Sequence, residues 1–181
     1  MSQLTAPVSE RDHVEGRDDA RVTLVEYGDF ECPSCGQAYV TIKQAQRAFG
    51  PNLRFVFRHF PLRSSHPHAL EAAKTAEAAA AQGRFWPMHD RLFQHQTRLD
   101  SESLVEHARA LGLDLDRFRS DVQGRDVEAR ISEDLSTGNS SEVRGTPSLF
   151  LNGERYDGPR DRRSLIDALA RAAVAPAQGA K

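Results

Sequence analysis

The apolar residues of this chain change period several times, and each change predicts an element. Arg21 to Tyr27 is nearly continuously apolar, the pattern of a strand buried on both faces, and Glu26 interrupts it. Ala38, Ile42, Ala45 and Phe49 fall on one face of a helix that stops at Gly50-Pro51. Leu53 to Phe60 then alternates, with Phe55, Phe57 and His59 on one side and Arg54, Val56, Arg58 and Phe60 on the other. Strand, helix and strand in this order predict a βαβ unit with parallel strands. From Ala69 onward the period is helical. Ala69–Gln82, a helix marked by Phe85, Met88 and Leu92, a third marked by Leu104, Ala108 and Leu111, a short turn at Leu115–Val122 and a last run before Gly138 contain no strand pattern. The strand pattern returns at Val143–Leu151. Asn152-Gly153 predicts a tight hairpin into Glu154–Tyr156, and Leu165, Ile166 and Leu169 a closing helix. Residues up to about Asp19 are polar and aperiodic and are expected to form a mobile arm; the tail from Ala175 is expected to fray.

Composition narrows the classes of function. A chain of 181 residues, 39% hydrophobic, holds one domain, or one domain with an insertion. The formal net charge is −2, with arginines mixed among acidic residues, so no basic face points to nucleic acid. No run is long and apolar enough to predict a membrane span. Met1–Glu10 lacks the basic and apolar regions of a secretory signal, so a cytoplasmic location is expected if Met1 is the native start, and an extracytoplasmic one if a signal has been trimmed.

Candidate chemistry concentrates in Cys32-Pro33-Ser34-Cys35, between the first predicted strand and the first helix. These are the chain's 2 cysteines, which rules out a framework of several disulfides. A thiol at a helix start faces unpaired N–H groups and the positive end of the helix dipole, which lowers its pKa and favours the thiolate that attacks disulfides. Cys35, one turn further in, is shielded and placed to close a short disulfide. Pro33 suits the first helical turn, where its missing N–H is no loss. Zinc is the first alternative: it needs two further ligands, for which His66 and His68 are the candidates, although His-Pro-His reads more simply as a loop and cap. A chance pair of buried cysteines is the second. Glu26, six residues before Cys32, would have a raised pKa if buried and is then a candidate proton acceptor for Cys35. The alternative is that strand twist carries it to solvent. Phe85, Trp86 and Met88 are read as insert core, and His59 and His89 as interior histidines without a catalytic role.

Several stretches in order carry a resemblance: Val25–Cys35, Phe57-Arg58-His59-Phe60-Pro61-Leu62, Phe85-Trp86-Pro87-Met88-His89-Asp90 and Gly145-Thr146-Pro147. Together they resemble the DsbA-like branch of the thioredoxin superfamily. The resemblance implies an α/β, thioredoxin-like fold with a mixed sheet: a core at residues 14–62 and 141–175, an all-helical insertion at 63–140, and flexible termini at 1–13 and 176–181. It implies a thiol–disulfide oxidoreductase acting through a mixed disulfide at Cys32 that Cys35 resolves, with Glu26 moving the Cys35 proton. It also implies a cis Pro147 beside the cysteines and an open Thr146 backbone that, with Pro33 and Ser34, contacts an extended substrate. No cofactor or metal is expected beyond the cysteine pair. Expected partners are protein or small-molecule thiols and disulfides and a redox partner that resets the pair. Strongly oxidising members carry His where this chain has Ser34, so a less oxidising pair is expected. A client-binding module with a redox switch and a metal-binding CxxC module remain the alternatives of other classes.

Overall fold

The computed structural model describes residues 2–175. Strands β1 (His13–Glu15), β2 (Val22–Gly28), β3 (Leu53–His59), β4 (Ser148–Leu151) and β5 (Glu154–Tyr156) form one sheet in the order β1-β3-β2-β4-β5. β2 runs parallel to β3 and antiparallel to β4, so the sheet is mixed, and the strand–helix–strand expectation holds. Helix α1 (Pro33–Phe49) makes the crossover, and α7 (Arg162–Val174) packs beside it. Between β3 and β4 lie α2 (Ala69–Ala80), α3 (Phe85–Gln94), α4 (Ser101–Ala110), α5 (Leu115–Val122) and α6 (Arg125–Ser140). The insertion is all helical, as its period predicts. Asn152 and Gly153 have φ of 49° and 87°, the left-handed pair of a tight hairpin turn.

The two faces of the sheet carry separate cores. Val22, Leu24, Phe55 and Phe57 meet α1, α3 and α7 on one face, and Cys32 and Cys35 belong to this core. Phe85 and Met88 are buried in the same core, with Trp86 packed against it and its Nε1 donating to Val14 O. Val25, Tyr27, Val56 and Phe150 lie on the opposite face.

That second face overturns the expectation of a mobile arm and of a flexible segment 1–13. An apolar sheet face must be covered, and Leu4, Val8 and Val14 pack against it. β1 pairs antiparallel with β3, Leu4 N donates to Gly153 O, and Arg155 N donates to Ser2 O. Arg58 on the same face is buried. Its guanidinium donates to Asp12 Oδ1 at 2.7 Å, to the carbonyls of Ala6 and Pro7, and to Tyr27 Oη. Burial alone would raise the Asp12 carboxyl, but Arg58 outweighs it and holds the group below its usual range. The segment is thus bound by three spaced apolar contacts, backbone pairing and the buried Arg58–Asp12 pair, and three apolar residues at such spacing leave no regular hydrophobic period. The expected flexible segment 176–181 lies outside the described residues.

Two boundaries also differ. α6 continues through Gly138, because this glycine is a close-packing position: a Cβ there would stand 2.7 Å from the Phe60 ring. β4 begins only at Ser148, and Val143–Pro147 is loop.

Candidate functional site

Cys32 is the N-cap of α1, with φ −70° and ψ 120°, and Pro33 occupies the first turn. Its carbonyl accepts from Cys35 N at 3.0 Å and Gly36 N at 3.2 Å, which closes the turn. Both cysteines are free thiols. Cys32 is 6% exposed and Cys35 fully buried, while Pro33 and Ser34 face solvent.

The two thiols have opposite acidities. A hydrogen bond from the Cys35 thiol is the largest influence on Cys32; burial opposes it, and the Thr146 hydroxyl and the N–H groups of Cys35 and Ser34 add to it. The net effect lowers Cys32 to about 5. Burial raises the Cys35 thiol well above its usual value, helped by the hydrogen bond it gives Cys32 and by the nearby Glu26 carboxylate. The pair therefore shares one proton, held on Cys35.

Thr146 comes from the far end of the chain. The Thr146–Pro147 peptide is cis, and the Thr146 carbonyl oxygen lies 3.4 Å from Cys32 Sγ. The Thr146 hydroxyl is buried without a hydrogen-bond partner, which leaves it free to turn to a thiolate. The Thr146 N–H makes no hydrogen bond to any described residue. Pro147 itself is buried.

Glu26 does not reach solvent. It lies in β2, opposite Phe57 of β3 and Leu149 of β4, is 1% exposed, and its Oε1 has no partner. Burial raises its carboxyl to about 8, the Cys32 thiolate adds to the rise, and Arg160 opposes it.

His66 Nδ1 is 2.7 Å from Asp29 Oδ2, and the His68 main-chain N–H donates to Glu31 Oε2. His68 is the N-cap residue of α2 without a side-chain cap. Among the described residues, three potential ligands gather elsewhere, at His13, His59 and Glu77. Both Nε2 atoms meet the same Glu77 Oε1, at 2.6 and 2.7 Å. Ligands of tetrahedral zinc at about 2.0–2.1 Å stand roughly 3.3 Å apart, so these donors are closed as a hydrogen-bonded triad. Burial alone would raise Glu77, but the two histidines outweigh it and hold the carboxyl far below its usual range. His89 is buried and lowered to about 4 by that burial, so it is neutral at pH 7. His59 and His89 are interior histidines, as expected.

Two residues of the site were not anticipated. Asp29 is buried; its carboxylate accepts from Glu31 N, Leu62 N and His66, and its carbonyl from Cys32 N, tying the cysteine turn to the loop after β3. Gln96, in the loop after α3, donates from Nε2 to Phe30 O at 2.8 Å and Cys32 O at 2.9 Å. Nothing in local period or motif marks a glutamine after a helix as a partner of the cysteine turn.

Comparison with known proteins adds a family. The Thioredoxin_4 family model, described as thioredoxin, matches residues 8–170. A thioredoxin-like oxidoreductase from Silicibacter pomeroyi superposes with a TM-score of 0.83 at 28% identity, covering 93% of this chain and 95% of that one. Oxidised BdbD from Bacillus subtilis superposes with a TM-score of 0.82 at 21% identity, covering 95% and 98%, and shares the fold. Among curated proteins, a Na(+)/H(+) antiporter NhaA 1 from Mycolicibacterium gilvum is 46% identical over 170 residues, which are 92% of this chain and 28% of that protein. A Na(+)/H(+) antiporter NhaA 1 from Salinispora arenicola is 47% identical over 170 residues, 93% of this chain and 26% of that protein. The chain thus spans about a quarter of the length of these relatives.

Proposed function

Because this chain belongs to the thioredoxin family, we propose that it is a DsbA-like thiol–disulfide oxidoreductase in which Cys32 exchanges and Cys35 resolves. The observation that carries this reading is the asymmetry of the two thiols: Cys32, at the mouth of the turn, is lowered to about 5, while buried Cys35 keeps its proton. A structural pair has no need of one thiolate at pH 7; a nucleophile does.

In the reducing direction, the Cys32 thiolate attacks a substrate disulfide. A Cys32–substrate S–S bond forms, the substrate S–S bond breaks, and one substrate thiolate leaves. Cys32 is then neutral, which removes the charge that helped keep Glu26 protonated. Glu26 then gives its proton to the departing substrate thiolate, and the resulting carboxylate accepts the Cys35 proton. The Cys35 thiolate attacks Cys32 Sγ, forms the Cys32–Cys35 disulfide and expels the second substrate thiolate. The oxidising direction is the reverse. The free N–H and the carbonyl of Thr146 offer an extended substrate segment one rung of strand pairing beside Cys32, with Pro33 and Ser34 at the same exposed edge. The chemistry needs no cofactor besides the pair itself. Substrates are thiols or disulfides of proteins or small molecules, and a second redox partner returns the pair to its starting state.

The antiporter names of the relatives describe much longer proteins. No helix among the described residues is long and apolar enough to cross a membrane, and we assign ion transport to the parts of those proteins outside the match. The reading is tested by turnover on a dithiol peptide and on a disulfide-bonded protein. Wild type is expected to exchange with both, and Cys32→Ser with neither; retained turnover in Cys32→Ser would overturn it.

A further inference from the structure

We propose that Gln96 is a positioning residue: it clamps the helical insertion onto the cysteine turn and so sets the reactivity of Cys32. The inference rests on the oxidoreductase reading and adds a residue to it.

The Gln96 side chain crosses from the loop between α3 and α4 to the turn that leads into α1. Both of its close partners, the carbonyls of Phe30 and Cys32, only accept, so the amide nitrogen must be the atom that faces them. They flank the cysteine turn: Phe30 precedes it, and Cys32 is its N-cap. Pro33 has no N–H, so the donors left to face the Cys32 sulfur are the N–H groups of Ser34 and Cys35. Their direction depends on the tilt of the peptide plane that carries the Cys32 carbonyl. Gln96 is a side-chain donor to that carbonyl beside the N–H groups of Cys35 and Gly36, so it helps fix the plane, and a fixed donor is worth more to a thiolate than a mobile one.

Gly36 makes the clamp a two-residue device. A Cβ at position 36 would lie 2.2 Å from Gln96 Oε1 and 2.8 Å from its Cδ. A side chain at position 36 would therefore force the Gln96 amide to move from this place. The conformation of Gly36 is ordinary helix, so close approach is what excludes a side chain there. The insertion thereby touches the reactive turn through one amide, although it supplies neither a cysteine nor the Thr146 loop.

The test is a pH titration of the thiolate absorbance of reduced protein, with alkylation rates at pH 5–6, on wild type, Gln96→Ala, Gly36→Ala and the double variant. Thermal midpoints confirm that each variant is folded. Gln96→Ala and Gly36→Ala are each expected to weaken the acidity of Cys32 three- to tenfold and to slow alkylation by a like factor. The double variant is expected to match either single one, because both remove the same clamp. Unchanged titration in folded Gln96→Ala would overturn the inference, as would additive shifts. A wild type with no titration below neutrality would instead overturn the thiolate reading on which it rests. Gly36→Ala also replaces a helical glycine by a better helix former, so a fall in acidity cannot be put down to a weaker α1.

Discussion

Cys32 and Thr146, 114 residues apart in sequence, meet at 3.4 Å, sulfur to carbonyl oxygen. The contact joins the two halves of the sheet at the end of β2, where the chain turns into α1. It places a backbone edge beside the sulfur that the proposed function makes the nucleophile.

Stabilisation of the Cys32 thiolate favours the reduced form and so makes the pair more oxidising. Thioredoxin, with a thiol near pKa 7, stands at about −270 mV, and DsbA, near 3.5, at about −120 mV. A Cys32 lowered to about 5 lies between them. Thiolate stabilisation at pH 7 relative to these two anchors gives roughly −160 to −220 mV. Titration against glutathione buffers measures it. A value above the cytosolic glutathione poise would mark the pair as a disulfide donor. A value near −270 mV would favour a cytoplasmic reductase.

Glu26→Gln is expected to change the pH dependence of stability. The buried carboxyl is raised to about 8 in the folded protein, so between roughly pH 5 and 8 the unfolded chain binds fewer protons. Stability then falls as pH rises, by about 1.4 kcal/mol per unit across that window. Denaturant unfolding at pH 5 and pH 9 should show the variant gaining on wild type as pH rises. The gain should be smaller in the oxidised protein, which lacks the Cys32 charge. Resolution of a mixed disulfide by Cys35 should also slow.

Glu77→Leu is expected to cost about 3 kcal/mol near pH 7, because it leaves buried His59 and half-buried His13 without the carboxylate both of them meet. Glu77 is depressed in the folded state, so its contribution is present above its unfolded pKa and is lost as pH falls below it. The gap between variant and wild type should narrow below about pH 4, as read by urea unfolding across pH.

Arg58→Met is expected to release the N-terminal segment. Asp12 would lose its close counter-ion and keep only Arg130, at 3.7 Å, as a cationic partner, at a cost of about 2–4 kcal/mol. Hydrogen exchange should show loss of protection at the amides of Leu4 and Arg155, which pair across to Gly153 and Ser2. The amides of β2 and β3 should keep theirs.

The βαβ unit, the helical insertion and the hairpin were legible because each has a strong period or turn signal. Val22–Gly28 is buried on both faces, and the Ala69–Ala80 face is closely packed alanine. The cysteine turn was legible for the same local reason, since two thiols at a strand–helix junction are contiguous in sequence. Thr146 needed the family resemblance, because it reaches Cys32 from across the sheet; Glu26 was marked by its charge within an apolar strand, and only its burial was left open. Asp29, Gln96 and the docked segment before β2 were not legible. They act through hydrogen bonds to backbone, ion pairs and, in the docked segment, three scattered apolar contacts, and such contacts impose no period.

The central claim, that Cys32 is the exchanging thiol, is tested most directly by trapping. Cys35→Ser protein is mixed with a disulfide-bonded peptide at pH 7, and the intact mass and the linked residue are determined. The account predicts a stable adduct of one peptide joined to Cys32, formed faster than with a thiol of ordinary acidity at pH 5–6, and none in Cys32→Ser. No adduct at Cys32 in folded protein, or an equal adduct at Cys35 in Cys32→Ser, would contradict it.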